Sequence, residues 1–389
     1  MSYQWRSVIQ RVLAITVVLA LIATACSSEA GNDTTTTTSS TTTTSSTSTT
    51  TRPTTTTTAE MEVFGTESDP ELEELIRDFY ELPEGSEATV PEKAMASIGM
   101  FDEESRVAVI EAGEDVTLAV ADPIWRVVGG WWPSLGIQPS LGKYPKIVAV
   151  IGSDARPGHD PLRAQADSIH FVGLDGTGAA SILGLPRDSW VPVPGFGNQK
   201  ATTSLVKGGP EVMMQTFSDL TQLEFDGYLL TGFEGFTGLI GVLGGLDIDV
   251  PLDLNDRWAK AYIDAGRQIL SAADALAFAR VRKTIRGGDF TRKKHGGLAL
   301  IAAAAMVGAM GITAVPLLME QSRDLYYTDM SAEEMILLAA AIISVDPAQI
   351  TNVVAAGHVD TTSGGASIVR LEEEAYETFE DLADGRLGN

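Results

Sequence analysis

The chain has 389 residues, 44% of them hydrophobic, so it can bury a full-sized core; with its tails set aside it has room for about two domains at most. A formal net charge of -25 argues against a nucleic-acid partner, because such binding needs an excess of basic surface. A single cysteine excludes an intramolecular disulfide.

At the N-terminus, Arg6 and Arg11 precede an apolar run from Val12 to Ala25 that is short for a membrane-spanning helix and suits the core of a signal peptide. The run ends Ala23-Thr24-Ala25-Cys26, which resembles a bacterial lipoprotein box in which leucine is the commoner first residue. That resemblance implies a mature protein beginning at Cys26 and carrying lipid there, with residues 1–26 as its signal. The alternative is an uncleaved signal anchor, and either one holds the protein at the outer face of a membrane. Residues 27–59 are almost entirely threonine and serine; with no apolar side chains to offset the entropy of ordering, they read as a disordered tether.

Residues 60–142 read as an acidic accessory segment with a helix at Pro70–Leu82. Within it, Trp125, Trp131 and Trp132 crowd around a Gly-Gly pair. Aromatics at that density read first as core or domain-packing residues and second as an interfacial contact near a membrane.

From residue 143 the pattern changes to alternating strands and helices. Lys146–Ile151 is a continuous apolar strand followed at once by Gly152, Ser153, Asp154, Ala155 and Arg156. Ser168–Gly173, introduced by Asp167, and Ala180–Leu185, closed by Pro186, Arg187 and Asp188, are further strands. Carboxylates and an arginine thus stand at strand ends, where an α/β sheet presents its site. A helix at Pro210–Thr221, a strand at Asp226–Leu230, a helix at Phe233–Leu243 and a strand at Leu246–Val250 follow. This alternation implies an α/β domain over residues 143–389 whose sheet is covered on both faces.

The stretch from Leu276 to Arg292 reverses the sign of the chain, gathering Arg280, Arg282, Lys283, Arg286 and Arg292 with one carboxylate, Asp289. Fixed arginine forks grip phosphate two oxygens at a time, so the set suits a diphosphate better than a carboxylate or a sugar hydroxyl. Ser271 and Asp274 open a capped helix ending near Arg280; Gly287 and Gly288 break the chain. Asp289 then stands where an N-cap would start a helix running to Met310, with Arg292 in its first, anion-favouring turn. On spacing alone the cluster is equally consistent with a solvated face in which Asp289 is only a cap. Gly297–Leu318 is long and apolar enough to be taken for a membrane span. Its alanine and glycine content, Pro316, and its place directly after the basic cluster favour a buried helix pair lining a lipid groove. A capping box at Ser331 and Glu334, a strand at Ile350–Ala356 and an acidic helix from Leu371 complete the domain.

Several of these segments, in order, resemble the LytR-CpsA-Psr family of cell-envelope phosphotransferases: GSDAR from Gly152, Asp167-Ser168-Ile169, LPRDSWVPVPG from Leu185, Lys200 with Gly208-Gly209, LGGLDIDVP from Leu243, AGRQILSAADALAFARVR from Ala265, and GDFTR ending at Arg292. The resemblance implies an αβα sandwich with a central mixed sheet. It also implies an enzyme that moves a glycopolymer from a polyprenyl-pyrophosphate carrier to a peptidoglycan hydroxyl outside the membrane. Carried over position by position, Arg187, Arg280, Arg282 and Arg292 would hold the pyrophosphate, with Lys200 near the phosphate. Asp154 and Asp167 would hold a divalent cation, magnesium or manganese, and Asp289 would orient the arginines. The catalytic set implied is Asp154, Asp167, Arg187 and Asp289. Three departures stand against that pattern. Gln165 occupies the usual arginine position before Asp167, so Arg163 is expected to reach the pyrophosphate by another loop path. Ala-Thr-Thr follows Lys200, and Lys293 to Gly296 replace a glutamine-containing turn. They motivate an alternative function, a non-catalytic module that binds lipid-linked glycan.

Overall fold

The computed structural model describes residues 61–67, 69–82 and 88–388. The expected signal peptide, the Cys26 lipid site and the Thr/Ser tether lie outside the described residues.

Residues 61–142 carry six strands and one α-helix among the described residues. β1 (Glu62–Phe64), β2 (Lys93–Met100), β3 (Arg106–Ala112), β4 (Asp115–Ala121), β5 (Trp125–Trp132) and β6 (Ile137–Ser140) form one sheet in sequence order, antiparallel except for the β1–β2 pair. The helix expected at Pro70–Leu82 is α1 (Pro70–Phe79), with Asp69 accepting the backbone N–H of Leu72 at its N-terminus and proline at the first helical position. It lies on one face of the sheet, where Trp125 and Trp132 are buried with Tyr80. Their polar atoms are met: Trp132 Nε1 donates to Thr117 Oγ1 at 2.8 Å and Trp125 Nε1 donates to Asp69 Oδ2 at 3.0 Å. These two tryptophans are therefore core residues.

The remaining chain lays down β7 (Lys146–Ser153), β8 (Ala166–Leu174), β9 (Ala180–Gly184), a hairpin of β10 (Trp190–Val193) and β11 (Gly197–Lys200), α2 (Thr203–Thr221), β12 (Gly227–Thr231) and α3 (Phe233–Val242). Then come β13 (Leu246–Val250), β14 (Leu254–Asp256), β15 (Ala261–Ile263) and β16 (Gly266–Leu270), nested so that β13 pairs with β16 and β14 with β15. Helices α4 (Ala272–Arg280), α5 (Asp289–Met310) and α6 (Val315–Ser322) follow, then β17 (Tyr327–Thr328), α7 (Ala332–Ile343), β18 (Ile350–Val354), a hairpin of β19 (Gly357–Thr361) and β20 (Ser367–Leu371), and α8 (Glu373–Asp381). The predicted helix at Pro210 begins earlier, at Thr203, because Gly209 takes a left-handed φ of 73° and joins two helical pieces across a kink before Pro210.

The central sheet has the order β17-β12-β7-β8-β9-β18, with β12–β7 and β9–β18 parallel and the other neighbours antiparallel. This is the mixed sheet expected. Strand alternation divides its side chains: Ile147, Ala149 and Ile151 of β7 and Phe171 of β8 face α2 and α8, in a core with Phe217 and Phe379. Val148 and Leu174 face the other way, into a core shared with α6, α7 and the first sheet through Val109, Leu118 and Ile336.

The apolar segment Gly297–Leu318 is a helix pair: α5 ends at Met310 and the chain bends by 100° into the helical stretch Ile312–Ser322. Among the described residues no single helix is long and apolar enough to cross a membrane. Two consecutive glycines let α5 close on the central sheet. A Cβ on Gly296 would lie 2.5 Å from His170 Cε1, and one on Gly297 would lie 2.1 Å from Asn352 Oδ1. Asn352 Nδ2 in turn donates to the Lys294 carbonyl at 3.0 Å. Gly296→Val should therefore lower unfolding free energy by about 1–3 kcal/mol through overpacking. Gly308→Ala, on the same helix with open space around it, should raise stability by up to about 1 kcal/mol through helix propensity. Urea midpoints of the two variants, moving in opposite directions, are the check.

Candidate active site

The site is built around an extra residue in a strand. β7 and β8 pair Gly152 with Ser168 and Ser153 with Ala166, so Asp167 is the unpaired residue of a β-bulge. Bulges re-aim side chains, and this one turns Asp167 toward the ends of two other elements. Arg187, just after β9, contacts Asp167 Oδ1 with its Nη1. Arg292, in the first turn of α5, donates from Nη1 to Asp167 Oδ2 at 2.6 Å and from Nη2 to the Asp167 carbonyl at 3.1 Å. Lys293 Nζ donates to the same carbonyl at 2.8 Å. One residue thus collects two guanidinium groups and a lysine.

Asp289 is not the cap that spacing predicts. Gly288 holds the N-cap position with a φ of 55°, and Asp289 is the first residue of α5. There its Oδ1 lies 2.6 Å from Arg292 Nη2, an i,i+3 ion pair in which both side chains are largely buried. The carboxylate thereby sets a second negative charge beside the guanidinium that Asp167 binds, an ion pair in which neither Asp289 oxygen accepts a hydrogen bond.

Around this knot lies a polar pocket of about 260 Å³ lined by Asp154, Arg156, Asp167, Arg187, Arg280, Arg282, Lys283 and Arg292, with Phe233, Asp256 and Trp258 at its walls. Among the described residues Arg156, Arg280, Arg282 and Lys283 have no carboxylate within ion-pair distance. Burial together with the facing Arg292 and Arg282 pulls the Arg187 guanidinium below its ordinary pKa. Burial together with Arg156 and Arg292 does the same for Arg280, whose guanidinium sits 4.7 Å from the Phe233 ring centroid. Cations that repel one another in a half-buried pocket are stabilised by an incoming anion.

An apolar groove of about 400 Å³ opens from the same place. Its walls include Val150, Leu229, Phe236, Ile240, Leu300 and Val307, and it shares Asp167, Phe233, Arg280 and Arg292 with the polar pocket. The groove lies between α3, α4 and α5, with Leu318 and Ser322 of α6 at its edge.

Not every predicted residue arrives here. Arg163 does not: Asp160 caps a short turn at Pro161–Arg163, and the Arg163 side chain, 87% exposed, pairs with Asp160 at 3.5 Å outside the pocket. Lys200 stands one step away, its Nζ 2.8 Å from Asp188, which in turn lies beside Arg187. Asp154 lines the pocket, with Oδ1 accepting the Gln165 backbone N–H at 2.9 Å. It is the one pocket carboxylate, among the described residues, with an oxygen free of any cation or backbone donor. No group of three or more His, Cys, Asp or Glu side chains able to hold a metal occurs among the described residues.

Sequence reasoning passed over Arg156, which stood inside the GSDAR block, and Asp188, which follows Arg187. It also passed over Phe233, Asp256, Trp258 and His170, for which no local pattern exists. His170 is fully buried on β8 beneath α5, with Nε2 3.0 Å from the Lys293 carbonyl and Nδ1 3.3 Å from Ser168 Oγ. His295 is a core residue that stacks on Phe278 at 4.6 Å.

Comparisons with known proteins give the family. The model of the LytR_cpsA_psr family matches residues 134–384, well over half of the chain. The chain belongs to that family. It is 31% identical over 167 residues to LcpB of Corynebacterium glutamicum, a probable cell wall biosynthesis protein, the match covering 43% of this chain and 39% of that protein. It is 32% identical over 139 residues to TagV of Bacillus subtilis, a polyisoprenyl-teichoic acid–peptidoglycan teichoic acid transferase, covering 33% of this chain and 36% of that protein. The matched region thus spans less than two fifths of the length of either relative. The crystal structure of B. subtilis TagV superposes with a TM-score of 0.54 at 24% identity, covering 63% of this chain and 99% of that one. TagT bound to LI-WTA superposes with a TM-score of 0.52 at 21% identity, covering 64% and 94%. At these identities the structural likeness is one of fold.

The buried layer beneath the pocket should be visible in pH titrations. Burial, reinforced by the neighbouring Lys293, pushes His170 down to about 3. Between that value and the ordinary 6.5 the unfolded chain binds a proton that the folded chain does not, so stability falls as pH drops below about 6.5. From pH 6.5 to 4.5 this group should remove about 2–3 kcal/mol. Calorimetric unfolding of His170→Asn should show that part of the slope flattened.

Proposed function

We propose that this protein transfers a glycopolymer from a polyprenyl-pyrophosphate carrier to a peptidoglycan hydroxyl, in assembly of the cell wall outside the membrane. The observation that carries the reading is the junction of two opposite chemistries at four shared residues: a pocket dense in arginine and an apolar groove meet at Asp167, Phe233, Arg280 and Arg292. A ligand that fits both is an amphiphile with a diphosphate at the joint, a prenyl chain in the groove and a polar body toward solvent. TagV, TagT and TagU, all named as teichoic acid–peptidoglycan transferases, are relatives whose activity is of this type. The N-terminal sequence supports attachment through Cys26 at the outer face of the membrane.

In this reading Arg187, Arg280, Arg282 and Arg292 hold the diphosphate. The acceptor oxygen attacks the glycan-side phosphorus, the bond to the lipid phosphate breaks, and the hydroxyl proton passes to the departing prenyl monophosphate or to solvent water. Negative charge spreads over the non-bridging oxygens as this happens, and fixed guanidinium groups stabilise it without reorganising. Asp167 and Asp289 act on Arg187 and Arg292 rather than on the substrate, fixing their forks. A divalent cation fits Asp154 with substrate phosphates and water, a set that magnesium accepts. Asp167 fits as a second ligand only by releasing a guanidinium. When bound, such a cation would add charge neutralisation at the phosphates.

The second reading, a binding module without turnover, is favoured by Arg163 lying outside the pocket and by the engagement of both Asp167 oxygens. Incubation of the protein with a prenyl-diphosphate-linked glycan and peptidoglycan separates the two. Release of prenyl monophosphate with glycan bound to the wall through a phosphodiester supports transfer; binding with no release in magnesium or manganese supports the module.

Arg280→Ala should weaken prenyl diphosphate binding by roughly tenfold to a hundredfold, the range of one charge-assisted hydrogen bond. Arg280→Lys should not restore it, because an ammonium lacks the fork. Unchanged affinity in a folded Arg280→Ala protein would make the basic cluster a solvated face.

A further inference from the structure

The pocket holds more positive charge than a diphosphate needs. Six cationic side chains line it against three carboxylates, and two of those carboxylates are already engaged, Asp167 by Arg187 and Arg292, Asp256 by backbone N–H groups. A diphosphate diester carries two negative charges, which Arg280, Arg282 and the Arg187–Arg292 pair can meet. Arg156 and Lys283 remain, and Lys283 is exposed, at the rim of the pocket.

That rim is constructed around an aromatic ring. Trp258, in the turn between β14 and β15, is 51% exposed and lines the pocket. The Arg257 guanidinium lies 4.4 Å from its ring centroid and the Lys283 ammonium 4.7 Å. Beneath them Asp256, 1% exposed, accepts the backbone N–H groups of Trp258 at 2.9 Å and Ala259 at 3.1 Å on one oxygen, and that of Lys283 at 3.2 Å on the other. One buried carboxylate therefore ties the β14–β15 turn to the loop after α4 and fixes where both cations stand. A chain this acidic has many carboxylates with which it could neutralise two surface cations; here an indole holds them instead. A cation over an exposed ring gains only about 0.5–1 kcal/mol, so its charge stays available to a ligand.

We propose that Trp258, Lys283 and Arg257 form a subsite for an acidic group, carboxylate or phosphate, on the sugar nearest the diphosphate, so that the substrate class is a prenyl diphosphate glycan with an acidic proximal sugar. This rests on the diphosphate assignment above. A sugar joined to the glycan-side phosphate must leave the arginine pocket past its rim, and the rim presents two cations there. Lys283 meets the acidic group from the pocket wall, and Arg257 adds a planar fork one residue outside it.

The test compares three probes at one ionic strength: farnesyl diphosphate, the same diphosphate carrying glucose, and the same carrying glucuronic acid. The wild type should bind the glucuronyl probe about tenfold more tightly than the glucosyl probe, a ratio that falls as salt is raised. In Lys283→Gln the ratio should fall to about one, and in Trp258→Leu and Arg257→Gln it should fall part of the way. A wild-type ratio at or below one, with farnesyl diphosphate still bound, overturns the acidic-sugar subsite and leaves the diphosphate site standing. A ratio unchanged in a folded Lys283→Gln protein also overturns it. Failure of farnesyl diphosphate itself to bind would remove the diphosphate assignment on which the subsite depends.

Discussion

Everything at the site depends on how Asp167 is presented. As the bulged residue of β8 it lies at the end of the central sheet with its carboxylate and its carbonyl both available, and Arg187, Arg292 and Lys293 converge on it from two other parts of the chain. Arg292 and Lys293 belong to the start of α5, so the same contacts that orient a guanidinium also pin that helix to the sheet. The helix is then held close by glycine: a side chain at Gly296 or Gly297 would strike His170 or Asn352. Removing one partner of such a knot leaves a half-buried charge without compensation, which is why its members act as a unit.

That packing also explains the buried lysine. Lys293 is 1% exposed, and burial, with Arg292 close by, holds its ammonium well below the usual lysine range. Its hydrogen bond to the Asp167 carbonyl, and the bond between its own carbonyl and His170, join β8 to α5 through polar groups. On the solvent side of this layer the cations have no such partners. The pocket therefore divides into arginines fixed by carboxylates and arginines left for a ligand, and the apolar groove begins at the boundary between them.

Much of the arrangement was legible from residue order. The alternation of strands and helices, the capping box at Ser331 and Glu334, the capped helix ending at Arg280 and the helix pair at Gly297–Leu318 all have local causes, and local causes leave patterns. The convergence of Asp154, Asp167, Arg187, Arg280, Arg282 and Arg292 on one pocket was what the family resemblance implied, and Asp154, Asp167 and Arg187 stand at strand ends, where such a sheet presents its site. What sequence did not disclose was produced by pairing and tertiary packing. A bulge is a matter of register between two strands, so nothing in Ala166-Asp167-Ser168 announces it. Asp289 pairs with Arg292 instead of capping because Gly288, with its left-handed backbone, starts the helix one residue earlier. Arg163 points to solvent because Asp160 organises its turn. The strands of residues 93–140 were masked by the acidic composition of their surroundings, although the run from Arg106 to Ala121 is apolar enough to have shown them.

The central claim is that the arginine pocket and the apolar groove are two ends of one binding site for a prenyl diphosphate. A crystal structure of the protein with geranylgeranyl diphosphate tests it most directly. The claim predicts phosphates within hydrogen-bond distance of Arg280 and Arg292 and a prenyl chain running along α5 past Leu300 and Val307. Phosphates bound elsewhere, or a chain lying outside the groove between α3 and α5, would contradict it.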